Sequence, residues 1–420
     1  MSYIHIHNAT LIDGTGADPR PDTHILIHDQ QIITVGALDN DTISLDDPHI
    51  TRIDAQGGYV LPGLIDTHVH LMMELASLEE RVSTPFSMNF YKSILHMRRT
   101  LNAGITTVRD AGGADYGVKQ AVEQGLVAGP RMQISITPLG ITGGHTDGWN
   151  LSGIDTNLFP AYPGNPSGIC DGIADVRKKV REVLRAGADI IKVCSTGGVL
   201  SPTDDPEFTQ FTEEELRVMV QEGAFRRGVK VMAHAQGAEG IKNAVRAGVH
   251  SIEHGIYLDD EAIDLMLEHG TYLVPTLLAP VAVVEIGEAT GSMPEYGLRK
   301  ARAVIDAHTA SIAKAHDAGV KIAMGTDAGV MPHGTNLREL DLMVKAGFTP
   351  MEAIVASTQT AADCLGWSDR VGTVEVGKLG DVIIARKNPL DDVRVLENTN
   401  NIAVVIKGGE IIKDVRTVDA

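Results

Sequence analysis

Cysteine is scarce in this 420-residue chain: Cys170, Cys194 and Cys364 are the only three, an odd number spaced far apart. That excludes a disulfide framework and makes a reducing compartment the default. Positive charge is also short, with 36 basic residues against 55 acidic ones and a formal net charge of −19. Nucleic acid and anionic membrane surfaces are poor partners for such a chain, because charge repulsion opposes both. No apolar run reaches the length of a transmembrane helix. The first residues run straight into a strand-like pattern, without the basic and apolar regions of a secretory leader, so a cytoplasmic protein is expected. Internal repeats and low-complexity segments are missing as well. What remains is a globular chain, 43% hydrophobic. Its core can be large, and its length accommodates a barrel of roughly 250–300 residues plus a smaller module.

The pattern changes twice along the chain. Residues 1–58 read as short strands (around Ile4, Ile6, Ala9–Ile12, Ile25–Ile27 and Ile32–Val35) separated by turn residues such as Asp13-Gly14. Residues 368–420 return to strand text at Asp381–Ala385, Ile402–Ile406 and Ile411-Ile412. Neither end buries a core well alone, so the two are expected to pair into one small β-sandwich domain. Residues 59–367 alternate short apolar runs with helical stretches, the signature of α/β structure with parallel strands. Eight strand candidates stand out: Val60–His70, Thr106–Arg109, Arg131–Thr137, Asp189–Cys194, Lys230–His234, Ser251–His254, Tyr272–Pro275 and Lys321–Asp327. Eight strands with intervening helices predict a (β/α)8 TIM-like barrel. Thr212 with Glu215 has capping-box spacing at the start of one helix. Three long connections follow strand ends, Leu139–Cys170, Ser195–Phe211 and Leu277–Gly297, and long loops on that face of a barrel carry function.

The polar residues at those strand ends carry the chemistry. His68 and His70 lie two apart and share a face of an extended strand, so both imidazoles can reach one metal ion. His5 and His7 have the same spacing but sit in an ordinary N-terminal strand and are expected at the surface. Strand two ends in Arg109 and Asp110, strand five in His234, strand six in His254 and strand eight in Asp327. Singly, a strand-end histidine is more often a hydrogen-bonded structural residue, and an aspartate before glycine can simply cap a turn. Jointly they converge on one mouth. Lys192, flanked by Ile190, Ile191 and Val193, faces the barrel interior, where an unpaired ammonium is costly. Either it pairs with an acid or reaches outward, or carbon dioxide converts it to an anionic carbamate that bridges two metal ions. Glu253 is expected on the opposite strand face from His254, as a structural partner. Cys194 reads as a packing residue.

These motifs resemble the amidohydrolase superfamily: Gly63–His70, Ile191–Val193, Ala233-His234, Ile252–Gly255 and Gly325–Gly329 occur in the family's order, and the resemblance spans nearly the whole chain. More narrowly, the chain resembles the metal-dependent dipeptidase and carboxypeptidase branch, which is prolidase-like and imidazolonepropionase-related and includes ochratoxin-degrading members. The resemblance implies two divalent metal ions, with zinc the expected pair. His68, His70 and Asp327 would hold the more buried ion and His234 and His254 the more exposed one, bridged by N6-carboxylated Lys192. It implies hydrolysis of a dipeptide or N-acyl amino acid, by metal-bound hydroxide, with Asp327 as the catalytic proton carrier. Such a small-molecule amide carries a free carboxylate, for which His145, Arg109, Tyr257 and His333 are the candidate contacts. Gln236 stands where some relatives carry tyrosine. A homo-oligomer is expected. The family's deaminases more often use one metal and lack the strand-four lysine. The other readings are hydrolysis of a cyclic, imidazolone-type amide and a catalytically inactive scaffold relative.

Overall fold

The computed structural model describes residues 2–38 and 49–416. The described chain is mixed α/β and falls into two compact units. No helix among the described residues is long and apolar enough to cross a membrane.

The first unit comprises Met1–Asp66, Arg98–Thr107 and Gly334–Ala420. It contains two sheets. One orders the strands Gln31–Gly36, His24–His28, Tyr3–His7 and Ile50–Asp54; the other orders Glu410–Asp414, Ile402–Lys407, Val382–Ala385, Tyr59–Pro62 and Thr10–Leu11. Tyr59–Pro62, expected within the first barrel strand, here pairs antiparallel with Val382–Ala385, Pro62 opposite Val382. Ile4, Ile6, Ile25, Ile27 and Ile53 form one buried cluster with Val60, Ile384, Val404 and Ile406. This gives alternate apolar residues of both sheets a common core. His5 is not at the surface as expected. It is buried, with Nε2 2.9 Å from His24 Nδ1, because it shares its strand face with His24 and buried Leu26.

The expected strand Val60–His70 is two strands, Tyr59–Pro62 and Leu64–Val69, broken at Gly63. A Cβ on Gly63 would lie 2.2 Å from Thr106 Oγ1, so only glycine fits this bend. Leu64–Val69 joins Ile105–Asp110 and Arg131–Ile134 in a three-stranded sheet.

The second unit comprises Thr67–Met97 and Val108–His333. Its four-stranded sheet orders Ile191–Cys194, Val231–Ala235, Ser251–His254 and Tyr272–Val274, all parallel, with Cys194 opposite His234 and Ala235 opposite His254. Every residue of the first three strands is buried. The segment expected as strand eight, Lys321–Asp327, is not a regular strand. It makes isolated parallel bridges instead, Ile322 to Leu273, with Ala328 just beyond it bridging Val69. A further parallel bridge joins Leu139 to Val193. The capping box at Thr212 and Glu215 is formed and starts the helix Glu213–Phe225. The stretch after strand seven, expected as a loop, is the helix Leu278–Thr290. It is apolar nearly all round, so no polar face marks it as helical in the sequence.

Candidate metal centre

Strand alternation aims the first donors. Lys192 and His234 lie on adjacent parallel strands, and His234 stands opposite both Cys194 and Glu253. His68 closes the group: its Nε2 lies 3.3 Å from Lys192 Nζ and 3.6 Å from Asp327 Oδ1, while His70 Nε2 lies 3.2 Å from the same oxygen. The rings of His68 and His254 are 5.2 Å apart, and those of His234 and His254 4.5 Å. One ligand atom each from His68, His254 and Asp327 lies within 4.8 Å of the others.

Two of these residues break the backbone rules. His254 has φ of 75° and Asp327 φ of 64°, both left-handed. Such strain in non-glycine residues concentrates where a site demands it. At His254 it has a visible effect. Perfect alternation would aim Glu253 away from the side His254 faces, as expected from the sequence. In the structure both converge on His68: Glu253 Oε2 accepts from His68 Nδ1 at 2.7 Å.

That contact belongs to a general pattern. Each histidine has one ring nitrogen engaged by a fixed oxygen. His68 Nδ1 meets Glu253, His70 Nδ1 meets Gly112 O at 2.9 Å, His254 Nδ1 meets Thr276 Oγ1 at 2.6 Å, and His234 Nε2 meets Gly197 O at 3.0 Å. At His68 and His234 that oxygen can only accept, so the proton is pinned on the nitrogen facing it and the other keeps its lone pair, which is how metal-binding histidines are held; His70 also meets Asp327 through Nε2. The imidazoles are also kept neutral. Burial holds His68, His234 and His254 well below the usual histidine range, reinforced by Lys192 at His68, His145 at His234 and His234 at His254. His70 is the exception: burial opposes its charge, but the hydrogen bond and charge of Asp327 raise it. Asp327 is held low: burial works against its charge, and the His70 hydrogen bond with the charges of His68, His70 and Lys192 together outweigh it. Burial lowers Lys192, against the pull of Glu253. Imidazoles, a carboxylate and a lysine whose charge burial disfavours form a donor set that suits a divalent ion. Thr276→Val keeps the side-chain shape and removes the hydrogen-bond partner of His254 Nδ1. It is expected to weaken divalent-ion affinity about 10–100-fold, read by titrating metal-free protein against a competing chelator.

The donors open into a cavity of about 850 Å³, counting its mouth, lined by His68, His70, Lys192, His234, His254 and Asp327 together with an apolar wall. Leu158, Phe159, Val199, Leu200, Pro280 and Val283 contribute much of that wall. Of the four candidate carboxylate contacts, only His145 lines it. Its ring stacks on His234 at 4.3 Å. Arg109 is fully buried elsewhere, its guanidinium donating to Thr67 O (2.7 Å), Ser251 Oγ (3.2 Å) and Glu253 Oε1 (2.9 Å). It braces Glu253 rather than Asp110, whose carboxylate accepts the backbone N–H groups of Leu71, Gly112 and Ala114. His333 lies beneath the site, stacked on His96 at 4.6 Å with Nε2 3.2 Å from His70 O. Tyr257 is half-buried and outside the cavity wall. Sequence reasoning missed Thr276, the apolar wall and the polar cluster behind His145. The wall and cluster come largely from irregular loops, where no periodicity flags them.

Residues 59–412 match the amidohydrolase family. An ochratoxinase of Aspergillus niger is 34% identical over 427 residues, covering 97% of this chain and 86% of that protein. A crystal structure of a Xaa-Pro dipeptidase with methionine bound in its active site superposes with a TM-score of 0.87 at 38% identity, covering 98% of this chain and 99% of the other. A prolidase complexed with N-methylphosphonate-L-proline gives 0.89 at 32% identity, covering 98% and 100%.

Proposed function

The chain belongs to the amidohydrolase family and is a hydrolase acting on amide bonds; from that premise we propose that it is a binuclear metal enzyme cleaving dipeptides or N-acyl amino acids with a free carboxylate. The observation that carries the reading is the meeting of buried His68 and His254 with the partly buried Asp327, with Lys192 Nζ 3.3 Å from His68 Nε2. We read the four parallel strands, the three-stranded sheet of Leu64–Val69, Ile105–Asp110 and Arg131–Ile134, and the bridging segment around Ile322–Ala328 as a closed (β/α)8 barrel. The two sheets built from the chain ends form its companion β-sandwich.

In this reading His68, His70 and Asp327 would hold one ion and His234 and His254 the other, with carboxylated Lys192 between them. When bound, such ions lower the pKa of a water to near neutrality and polarise a carbonyl oxygen. Asp327 takes the proton of the attacking water on a carboxylate oxygen and delivers it to the leaving nitrogen. His145, on the cavity wall, contacts the substrate. Gln236 lines the same cavity, and its Oε1 is buried with no partner among the described residues, an acceptor suited to a substrate N–H. The apolar wall receives an apolar side chain and excludes water from the reacting bond.

The test is a screen of dipeptides and N-acyl amino acids with metal-depleted and metal-restored protein. Apolar acyl groups are expected to exceed acidic ones by about 100-fold in kcat/KM, because burying an unpaired carboxylate costs a few kcal/mol. Activity is expected to vanish on chelation and return with zinc. Equal rates for free and amidated carboxylates would overturn the substrate class, and hydrolysis that survives complete chelation would overturn the metal mechanism.

A further inference from the structure

One buried polar cluster is not accounted for by metal binding. Lys300, on the helix Glu295–Asp317, is only 5% exposed. Its ammonium donates to the backbone oxygens of Gly198 (3.1 Å), Ser201 (2.9 Å) and Asp204. An ammonium has three protons, and here all three are directed at carbonyls of a single turn. The Asp204 carboxylate inside that turn accepts from Gly198 N–H at 3.3 Å, Gln210 Nε2 at 2.9 Å and the Ser201 hydroxyl, and the Lys300 ammonium lies 3.7 Å away as its counter-charge. A carboxylate so surrounded accepts throughout, so the one hydroxyl proton of Ser201 goes to Asp204. Ser201 Oγ then remains an acceptor, and it lies 2.9 Å from His145 Nδ1.

The chain of donors thus fixes Nδ1 as the protonated nitrogen of His145 and leaves Nε2 for the cavity. The ring is also held sterically. His234 covers one side at 4.3 Å, and a Cβ on Gly198 would lie 2.3 Å from the ring. The main-chain N–H of His145 donates to Gln210 Oε1 at 3.1 Å, so Gln210 ties the His145 loop to Asp204. Burying an ammonium and a carboxylate merely to shape a surface turn would be costly.

We propose that Lys300, Asp204 and Ser201 are positioning residues that select the tautomer of His145 and aim its Nε2 at the bound substrate. The inference rests on His145 touching the substrate, as proposed for the cavity. A double-mutant cycle on the metal-loaded enzyme tests it. Asp204→Asn and Ser201→Ala are each expected to lower kcat roughly 10–100-fold with metal content unchanged. In a His145→Ala background the same substitutions are expected to cost nothing further, because they act through a ring no longer present. Lys300→Arg restores most of the activity lost in Lys300→Met. Equal losses in both backgrounds, or full kcat in Ser201→Ala, overturn the relay.

A second readout does not depend on turnover. In zinc-loaded protein with 15N-labelled histidine, His145 shows the Nδ1–H tautomer, assigned by its disappearance in His145→Ala, and Ser201→Ala shifts that population. An unchanged tautomer in Ser201→Ala overturns the relay even if the wild-type protein hydrolyses no amide, a result that by itself would overturn only the functional reading.

Discussion

Lys192→Ala is expected to lower kcat/KM by roughly 1,000-fold or more, about 4 kcal/mol of transition-state stabilisation, and to yield protein short of its full metal content. Lys192 is buried on the strand Ile191–Cys194, and burial lowers its amine toward neutrality. A neutral amine nitrogen attacks carbon dioxide and loses a proton, leaving a carbamate with one negative charge and two oxygens. Without that anion, two cations facing the same imidazoles repel each other unscreened in a low-dielectric site. Lys192→Arg separates this reading from a simple ion pair with Glu253 or Asp327. Arginine keeps the positive charge but is never neutral in a protein, so it cannot form a carbamate. Both variants are therefore expected to be inactive, and a short carboxylic acid such as propionate is expected to restore part of the activity of Lys192→Ala alone by filling the vacated space. Full activity and metal content in Lys192→Ala, or an active Lys192→Arg, would overturn the carbamate.

The ease of reading each part from sequence follows the regularity of the backbone. His68, Lys192 and His234 were legible because they sit on regular strands, where a period of two fixes the side-chain direction. His254 and Asp327 were legible as strand-end residues, but their left-handed φ values of 75° and 64° were not. That local departure brings His254 to the side that Glu253, in register with His234, already faces. The pairing of the chain ends followed from two sets of strands each too small for a core. The break at Gly63 did not, because it depends on the side chain of Thr106, forty-odd residues away. Arg109 shows the same limit: a basic residue at a strand end reads as a substrate contact until Thr67, Ser251 and Glu253 are seen accepting from it. Leu158, Phe159, Val199 and Leu200 reach the cavity from irregular loops, whose course is set by tertiary contacts such as those of Lys300 rather than by any repeating pattern.

Glu253→Gln is expected to cost about 3–5 kcal/mol of folding stability or, failing that, to remove the metal, and the choice between these outcomes reports how the new amide turns. Glu253 is fully buried and accepts on both oxygens: Oε1 from Arg109 Nη2 at 2.9 Å and Ser251 Oγ at 2.5 Å, Oε2 from His68 Nδ1 at 2.7 Å. A glutamine has nearly the same shape but only one acceptor oxygen. If that oxygen faces His68, the amide NH2 meets Arg109 donor to donor, so the buried guanidinium loses this acceptor as well as the carboxylate charge that either orientation removes, which typically costs about 3–5 kcal/mol. If it faces Arg109, the NH2 donates to His68 Nδ1 and drives the ring proton onto Nε2, the nitrogen 3.3 Å from Lys192 and 3.6 Å from Asp327. A protonated Nε2 has no lone pair for a metal ion, so affinity falls by at least the 10–100-fold seen when such supporting contacts are lost. Urea titration of the metal-free protein reads the first outcome, and chelator competition reads the second. Stability within about 1 kcal/mol of wild type combined with unchanged metal affinity would show that Glu253 neither holds Arg109 nor sets the tautomer of His68.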